Sequence, residues 1–285
     1  MVSSLVAAAR GQSSHHLDSL ALKIRPRYTW GDIVLPEEEL GVLHEIVGTI
    51  RGRARVLDEW GLNKKLVPNP GIAVLFAGPP GTGKTLAAQV MAAELGMDLY
   101  RIDLSTVVSK YIGETEKNLE RIFSQAANSN TILFFDEADA IFGKRSDVKD
   151  AHDRYANIEV SYLLQRIESY DGVAILASNL RSNLDDAFIR RLQFIVDFPF
   201  PDETQRLQIW NVLFPPGVPR GEALDFESFA KRFRLSGGNI RNAIVNAAFA
   251  AASEDCGVSN RHLAHAVRRE LQKMGRLINE KELAL

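Results

Sequence analysis

Apolar residues along the chain collect into short runs separated by stretches of helical period. Five runs stand out: "IAVLFA" (72–77), "DLYRID" (98–103), "TILFFD" (131–136), "VAILAS" (173–178) and "FIVDF" (194–198). Between them, residues 85–95, 115–127 and 157–169 repeat apolar side chains at the three-to-four spacing of one helix face. Apolar strands alternating with helices predict a parallel sheet covered on both faces. After "FPFPDE" (198–203) the strands stop, and residues 203–212, 225–233, 239–252 and 261–271 read as four helices. Pro199, Pro201 and the loop "FPPGVPRGEA" punctuate that change. Residues 1–27 are polar and mixed and read as a flexible arm or linker, with room for something longer upstream. The expected division is therefore an arm (1–27), an α/β domain (28–201) and a small helical domain (202–285), with no internal repeat.

Composition narrows the class without naming it. Apolar residues make up 46% and charged residues 25% of 285, ordinary for a globular chain. A net charge of −2 makes no global case for binding nucleic acid or an anionic membrane. The single cysteine, Cys256, excludes an intrachain disulfide framework and fits a reducing compartment. No apolar run approaches the roughly 20 residues of a membrane span. The start "MVSSLVAAARGQ" lacks a leading positive charge, so no signal peptide is expected. The expectation is a soluble, cytoplasmic protein.

Chemistry enters with Gly78-Pro79-Pro80-Gly81-Thr82-Gly83-Lys84-Thr85, which fills GxxxxGK[ST] at every position. It follows an apolar strand and opens a helix at Leu86, the context that the motif needs. The glycines let consecutive backbone N–H groups turn inward without a Cβ in the way. The helix start adds unpaired donors and partial positive charge. Lys84 then reaches the β- and γ-phosphates, and the Thr85 hydroxyl is placed to ligate Mg²⁺. A Gly-Pro loop that merely caps a helix would need none of this. Further on, "ILFFDEAD" (132–139) ends an apolar strand in two carboxylates. Asp136 would hold the Mg²⁺ shell and Glu137 would orient the attacking water. Alone, the pair could be a helix N-cap and first-turn acid. After a phosphate loop, hydrolysis of a nucleoside triphosphate is the better reading.

"DEAD" also occurs in RNA helicases, but those carry a Ser-Ala-Thr triplet after the next strand and a second α/β domain. Here that strand ends "LASN" (176–179) and helices follow. The motifs, in order, resemble instead those of the AAA+ ATPase superfamily, over nearly all of residues 28–270. The resemblance implies a P-loop αβα sandwich with a five-stranded parallel sheet of order 5-1-4-3-2 and a C-terminal α-helical lid, with nucleotide in the crevice between them. In "VAILASN", Asn179 looks like the sensor that bonds the attacking water or γ-phosphate. "NLDDAFIRRLQFIVDFPFPD" (183–202) resembles the family's second region of homology, in which arginine fingers reach the neighbouring subunit's γ-phosphate. By position these are Arg190 and Arg191, adjacent as in the microtubule-severing branch of spastin and katanin rather than separated. The plain alternative is a surface pair on a helix end. "RLSGGNIRNAIVNAA" (234–248) resembles the sensor-2 segment, which makes Arg241 either a phosphate contact or a domain-closing ion pair. "YTWGDIVLP" (28–36) resembles the adenine-side segment, with Asp32 and Ile33 at the base; Leu35 stands where that pattern has glycine.

Residues 107–123, "VVSKYIGETEKNLERIF", resemble pore loop 1 of protein-translocating AAA ATPases. The resemblance implies that Lys110, Tyr111 and Ile112 grip a threaded polypeptide, an aromatic wedge with an apolar neighbour that reads no sequence. Alternatively Tyr111 and Ile112 pack at the entry to the following helix. The charged segment 142–159 feeds the family's second pore loop; metal binding by His152 is weaker there than a solvated loop. "LHEIVG" (43–48) begins like the zinc motif HExxH but ends in Gly48, so no protease of that kind is encoded. The texture is similar to bacterial AAA ATPases associated with contractile injection systems. The implied function is an ATP- and Mg²⁺-dependent motor that forms a homo-oligomeric ring, usually a hexamer, and unfolds or remodels protein substrates. A nucleotide-switched assembly factor is the alternative; a nucleic-acid motor lacks the basic surplus.

Overall fold

A computed structural model describes residues 20–62, 71–107, 113–127, 129–139, 151–179 and 189–276. Contacts divide the chain into two units. One contains residues 37–78 and 84–197 with the N-terminal stretch to 29; the other contains residues 198–285 together with 30–36 and 79–83.

The first unit is built on six strands: β1 (Leu22–Ile24), β2 (Ile72–Ala77), β3 (Asp98–Asp103), β4 (Thr131–Asp136), β5 (Val173–Ser178) and β6 (Phe194–Asp197). Their order is β1-β3-β4-β5-β2-β6. The five predicted strands stand in the expected order and pair in parallel. The difference is β1, which adds antiparallel to β3 at the edge, Lys23 opposite Tyr100. Part of the stretch expected to be a flexible arm is therefore a strand. Three residues suffice because the Lys23 ammonium closes on Asp98 Oδ2 at 2.7 Å, across the same strand pair. Every residue of β2 and β5 is buried, as a strand covered on both faces must be.

Among the described residues of this unit are four longer helices, α1 (Glu37–Ala54), α2 (Lys84–Leu95), α4 (Glu114–Ala126) and α5 (Ala151–Ser169), with a single turn, α3 (Leu104–Val107). Helix α4 buries Thr115, Leu119, Ile122, Phe123 and Ala126, a stripe at helical spacing. Phe123 packs on Phe135 of β4 and, edge-on, on Tyr170, with ring centroids 5.5 and 5.4 Å apart. Burying each such side chain contributes about 1.5–3 kcal/mol, which is how a short strand and a helix are held in one register. Helix α1 was not anticipated, although three glutamates after Pro36 and the spacing of Leu43, Ile46 and Val47, all buried, carry its signal.

The second unit holds α6 (Glu203–Leu213), α7 (Phe226–Arg232), α8 (Gly237–Ser253) and α9 (Asn260–Lys273). Asp202 caps α6 and Ser236 caps α8, each in a reciprocal capping box with the residue three positions on, Gln205 and Asn239. Trp210, fully buried, stacks on Phe226 at 5.6 Å and contacts Phe229 at 5.7 Å. Helices α8 and α9 are tied by Glu270, which accepts from Asn239 and Asn242 of α8 at 3.3 and 3.4 Å.

Candidate nucleotide site

Parallel pairing brings the chemistry together before any side chain is considered. In the sheet β4, β5 and β2 are neighbours, with Phe135 opposite Leu176 and Ala77 opposite Ser178. The residues just beyond those strand ends therefore share one edge: Gly78 after β2, Asp136 to Asp139 at the end of β4, and Asn179 after β5. The carboxyl edge of an open parallel sheet is where such folds bind ligands.

The loop leaving β2 departs from ordinary backbone at three glycines. Gly78, Gly81 and Gly83 have φ of 153°, 78° and 109°. A side chain at 81 or 83 would be strained, and a Cβ on Gly81 would also stand 2.6 Å from Ser236 Oγ. Within the second unit, Gly238 N–H donates to Gly81 O at 2.9 Å, and Thr82 Oγ1 donates to Pro79 O at 2.8 Å. Pro80 and Gly81 are exposed, while Thr85 and Leu86 are half-buried in the first turn of α2.

Lys84 is 8% exposed. Its ammonium donates to Gly78 O at 2.5 Å and to Asn179 Oδ1 at 3.0 Å. Burial pushes its pKa down, opposed by the charges of Asp136 and Asp139. A buried cation beside neutral carbonyl oxygens, at a helix start behind positive-φ glycines, fits an anion such as a phosphate. The same place offers a hydroxyl from Thr85 and a carboxylate from Asp136, hard oxygen donors that fit Mg²⁺.

Asp136 is held on both sides. Its Oδ2 pairs with Arg101 of β3 at 2.8 Å, and its Oδ1 accepts from Glu137 N–H at 3.0 Å. Glu137 is exposed and has φ of 56°, the left-handed region that glutamate seldom adopts. Ala138 N–H bonds to Ala177 O at 2.9 Å, so the strained residue is anchored before and after. Asp139 accepts from Asn179 twice, from its backbone N–H at 3.1 Å and from Nδ2 at 3.4 Å.

The remaining expected site residues stand on other elements. Arg191 Nε pairs with Glu168 of α5 at 3.1 Å, and both Arg191 and its neighbour Arg190 are exposed. Arg241 is exposed on α8. Asp32 ends a short turn (Trp30–Asp32), and Ile33 after it is buried, its N–H on Trp30 O at 3.5 Å; both lie in the second unit. Lys110, Tyr111 and Ile112 lie outside the described residues. Sequence reading missed Arg101, Asp139 and Glu168 as partners. Asp139 alone had a signal, standing in the quoted "DEAD", while Arg101 and Glu168 meet their partners only through folding. Among the described residues, no helix is long and apolar enough to cross a membrane.

Comparison with known proteins agrees with this geometry. Residues 74–200 match the family model for the ATPase family associated with various cellular activities (AAA). The chain is 34% identical over 232 residues to the uncharacterised AAA family ATPase y4kL of Sinorhizobium fredii, covering 78% of this chain and 67% of that protein. It is 36% identical over 194 residues to the 26S proteasome subunit RPT4 of Saccharomyces cerevisiae, covering 65% of this chain and 44% of that one. Against the proteasome-activating nucleotidase of Aeropyrum pernix it is 29% identical over 257 residues, 87% of this chain and 61% of that one. The chain thus spans about half to two thirds of the length of these relatives. On the match to y4kL and the family model together, the chain belongs to the AAA family of ATPases.

Proposed function

We propose that this chain is a Mg²⁺-dependent ATPase whose site is completed by a neighbouring copy and whose turnover remodels or unfolds a protein substrate. One observation carries the ATPase part: Lys84, a buried cation held at the phosphate loop by Gly78 O and Asn179 Oδ1. Both of these acceptors are uncharged oxygens, which a phosphate oxygen can replace. In this reading the amides of 80–86 and the Lys84 ammonium hold the β- and γ-phosphates. Thr85 and Asp136 hold the metal, which when bound neutralises phosphate charge. Glu137 projects its carboxylate from a strained position and orients the attacking water, with Asn179 fixing that water from the side. Arg241, Asp32 and Ile33 keep the nucleotide-binding roles that the likeness to the family implies for them.

The shared site rests on Arg190. Both arginines of the adjacent pair are exposed, and Arg191 pairs with Glu168 of its own chain. A guanidinium presented outward can stabilise charge developing in a neighbour's site, and its fixed fork makes it suited to a phosphoryl group. Such an arrangement closes as a ring, and the hexamer is the family's usual form. The remodelling role draws on the likeness to proteasome ATPases and on the Lys110-Tyr111-Ile112 signature.

The experiment is ATP turnover per subunit across rising protein concentration, with Arg190→Ala and Arg191→Ala alongside. Specific activity that climbs with concentration and is abolished by Arg190→Ala supports the shared site. Flat turnover with both arginines dispensable means that one chain holds a complete site, and the ring motor falls. For the remodelling role, Tyr111→Ala should spare hydrolysis and abolish substrate unfolding; retained unfolding would remove the pore assignment.

A further inference from the structure

The carboxamide of Asn179 is bracketed by two opposite charges. Oδ1 accepts from the Lys84 ammonium at 3.0 Å, and Nδ2 faces Asp139 Oδ2 at 3.4 Å. Turned end for end, the amide would set its NH₂ against the ammonium and its oxygen against the carboxylate, both repulsive. The orientation is therefore set from both sides. Asp139 also takes the Asn179 backbone N–H on its other oxygen, at 3.1 Å, so it holds main chain and side chain together. An asparagine amide carries two N–H bonds. With one directed at Asp139, the second is the one available to a water or phosphate oxygen at the sheet edge.

We propose that Asp139 is a positioning residue for ATP hydrolysis: it fixes Asn179 with its carboxamide oxygen toward Lys84 and an N–H toward the reacting water. The inference rests on the ATPase reading above. It assigns work to the last carboxylate of "DEAD", distinct from metal binding by Asp136 and water activation by Glu137. Asp139 acts through Asn179, three residues past β4 and one residue past β5, on adjacent strands. A loose sensor would leave the loop and its lysine intact but misplace the water, and a displacement of about 1 Å costs on the order of a hundredfold in rate. The signature of the role is lost turnover with retained nucleotide affinity.

The test measures turnover at saturating ATP and, separately, the dissociation constant of a fluorescent non-hydrolysable ATP analogue. The proteins are wild type, Asp139→Ala, Asp139→Asn, Asn179→Ala and the Asp139→Ala/Asn179→Ala double variant. The expected result is that Asp139→Ala lowers turnover by about 10- to 100-fold while affinity changes by less than about threefold. In the Asn179→Ala background the aspartate change should cost little more, because the carboxamide that it positions is gone and only its bond to the backbone N–H of residue 179 remains. Asp139→Asn keeps one acceptor oxygen and should lose less. Wild-type turnover by Asp139→Ala, or losses that multiply in the double variant, would overturn the proposal. Should Asp139→Ala fold poorly by thermal melting, Asp139→Asn decides in the same way: a loss that persists undiminished without Asn179 overturns it. Wild-type protein that does not hydrolyse ATP overturns the ATPase reading and this inference together. Active wild type with multiplying losses overturns the inference alone.

Discussion

Arg101 and Asp136 form an ion pair at the edge of the sheet, Nη2 to Oδ2 at 2.8 Å, with one arm on β3 and the other at the end of β4. They sit two positions apart in the strand register, where Arg101 lies opposite Phe134 and Asp103 opposite Asp136. The carboxylate assigned to the metal thus already has a counter-ion supplied by its own chain.

Arg101→Met should make Asp136 more available to Mg²⁺. The pair is partly exposed, its side chains 39% and 18% accessible, so the discounted value is about 0.5–1 kcal/mol. That corresponds to a roughly two- to fivefold lower half-saturating Mg²⁺ concentration in titrations of nucleotide binding. An unchanged or raised Mg²⁺ requirement would show that the arginine supports the carboxylate rather than competing for it.

Burial of Lys84 depresses its pKa, and the sign for stability follows. Between the lowered folded value and the ordinary 10.5, the unfolded chain binds a proton that the folded chain does not. Nucleotide-free protein should therefore gain stability as pH rises through that window. Lys84→Met should remove this rise and abolish ATP binding. It should also raise the neutral-pH Tm by about 2–4 °C per kcal/mol of burial penalty relieved. Melting curves at neutral and alkaline pH read the two stability effects, and the analogue titration reads binding. A lower Tm for Lys84→Met would mean that its bonds to Gly78 and Asn179 outweigh its burial.

Tyr170 lies against two glycines. A Cβ on Gly172 would stand 2.3 Å from its Cζ, and one on Gly71 would stand 1.9 Å from its backbone oxygen. Gly172→Ala should displace the ring from Phe123 and cost about 1–3 kcal/mol in urea denaturation. Gly71→Ala should cost more, because a backbone carbonyl cannot rotate away as a ring can. Near-wild-type midpoints for both would contradict the packing.

Glu270 is 2% exposed, and burial alone would raise its pKa, yet bonds from Lys273, Asn239 and Asn242 outweigh that and hold it below 4.5. A carboxylate with a depressed pKa contributes stability that is present above 4.5 and is lost as pH falls through the lowered value. Glu270→Gln should destabilise the helical unit by about 1–3 kcal/mol at neutral pH and flatten the acid limb of its unfolding profile. A pH profile that keeps the wild-type slope would remove Glu270 as the group responsible.

Much of the architecture was readable from the chain. Periodicity marked the five parallel strands and the four C-terminal helices to within a few residues, because full burial demands unbroken apolar runs and helix packing demands an apolar stripe. The phosphate loop and the Asp136-Glu137 pair were equally legible, since their chemistry is local: consecutive residues on one turn, in one order. Edge strand β1 was not, because three residues carry too little pattern and owe their shape to pairing with β3 and to the Lys23–Asp98 contact.

What the sequence by itself determined, then, is which elements form and which residues make up the phosphate-loop pattern, for these depend on neighbours along the chain. Only the tertiary structure decided the partnerships: Arg101 with Asp136, Glu168 with Arg191, and Asp139 with Asn179. It also set a difference between the adjacent arginines, both exposed, by pairing Arg191 with Glu168. Polar groups 23 to 40 residues apart have no local signal for meeting. Parallel strand pairing and helix packing bring them within bonding distance, and that distance sets the orientation of the groups at the candidate site.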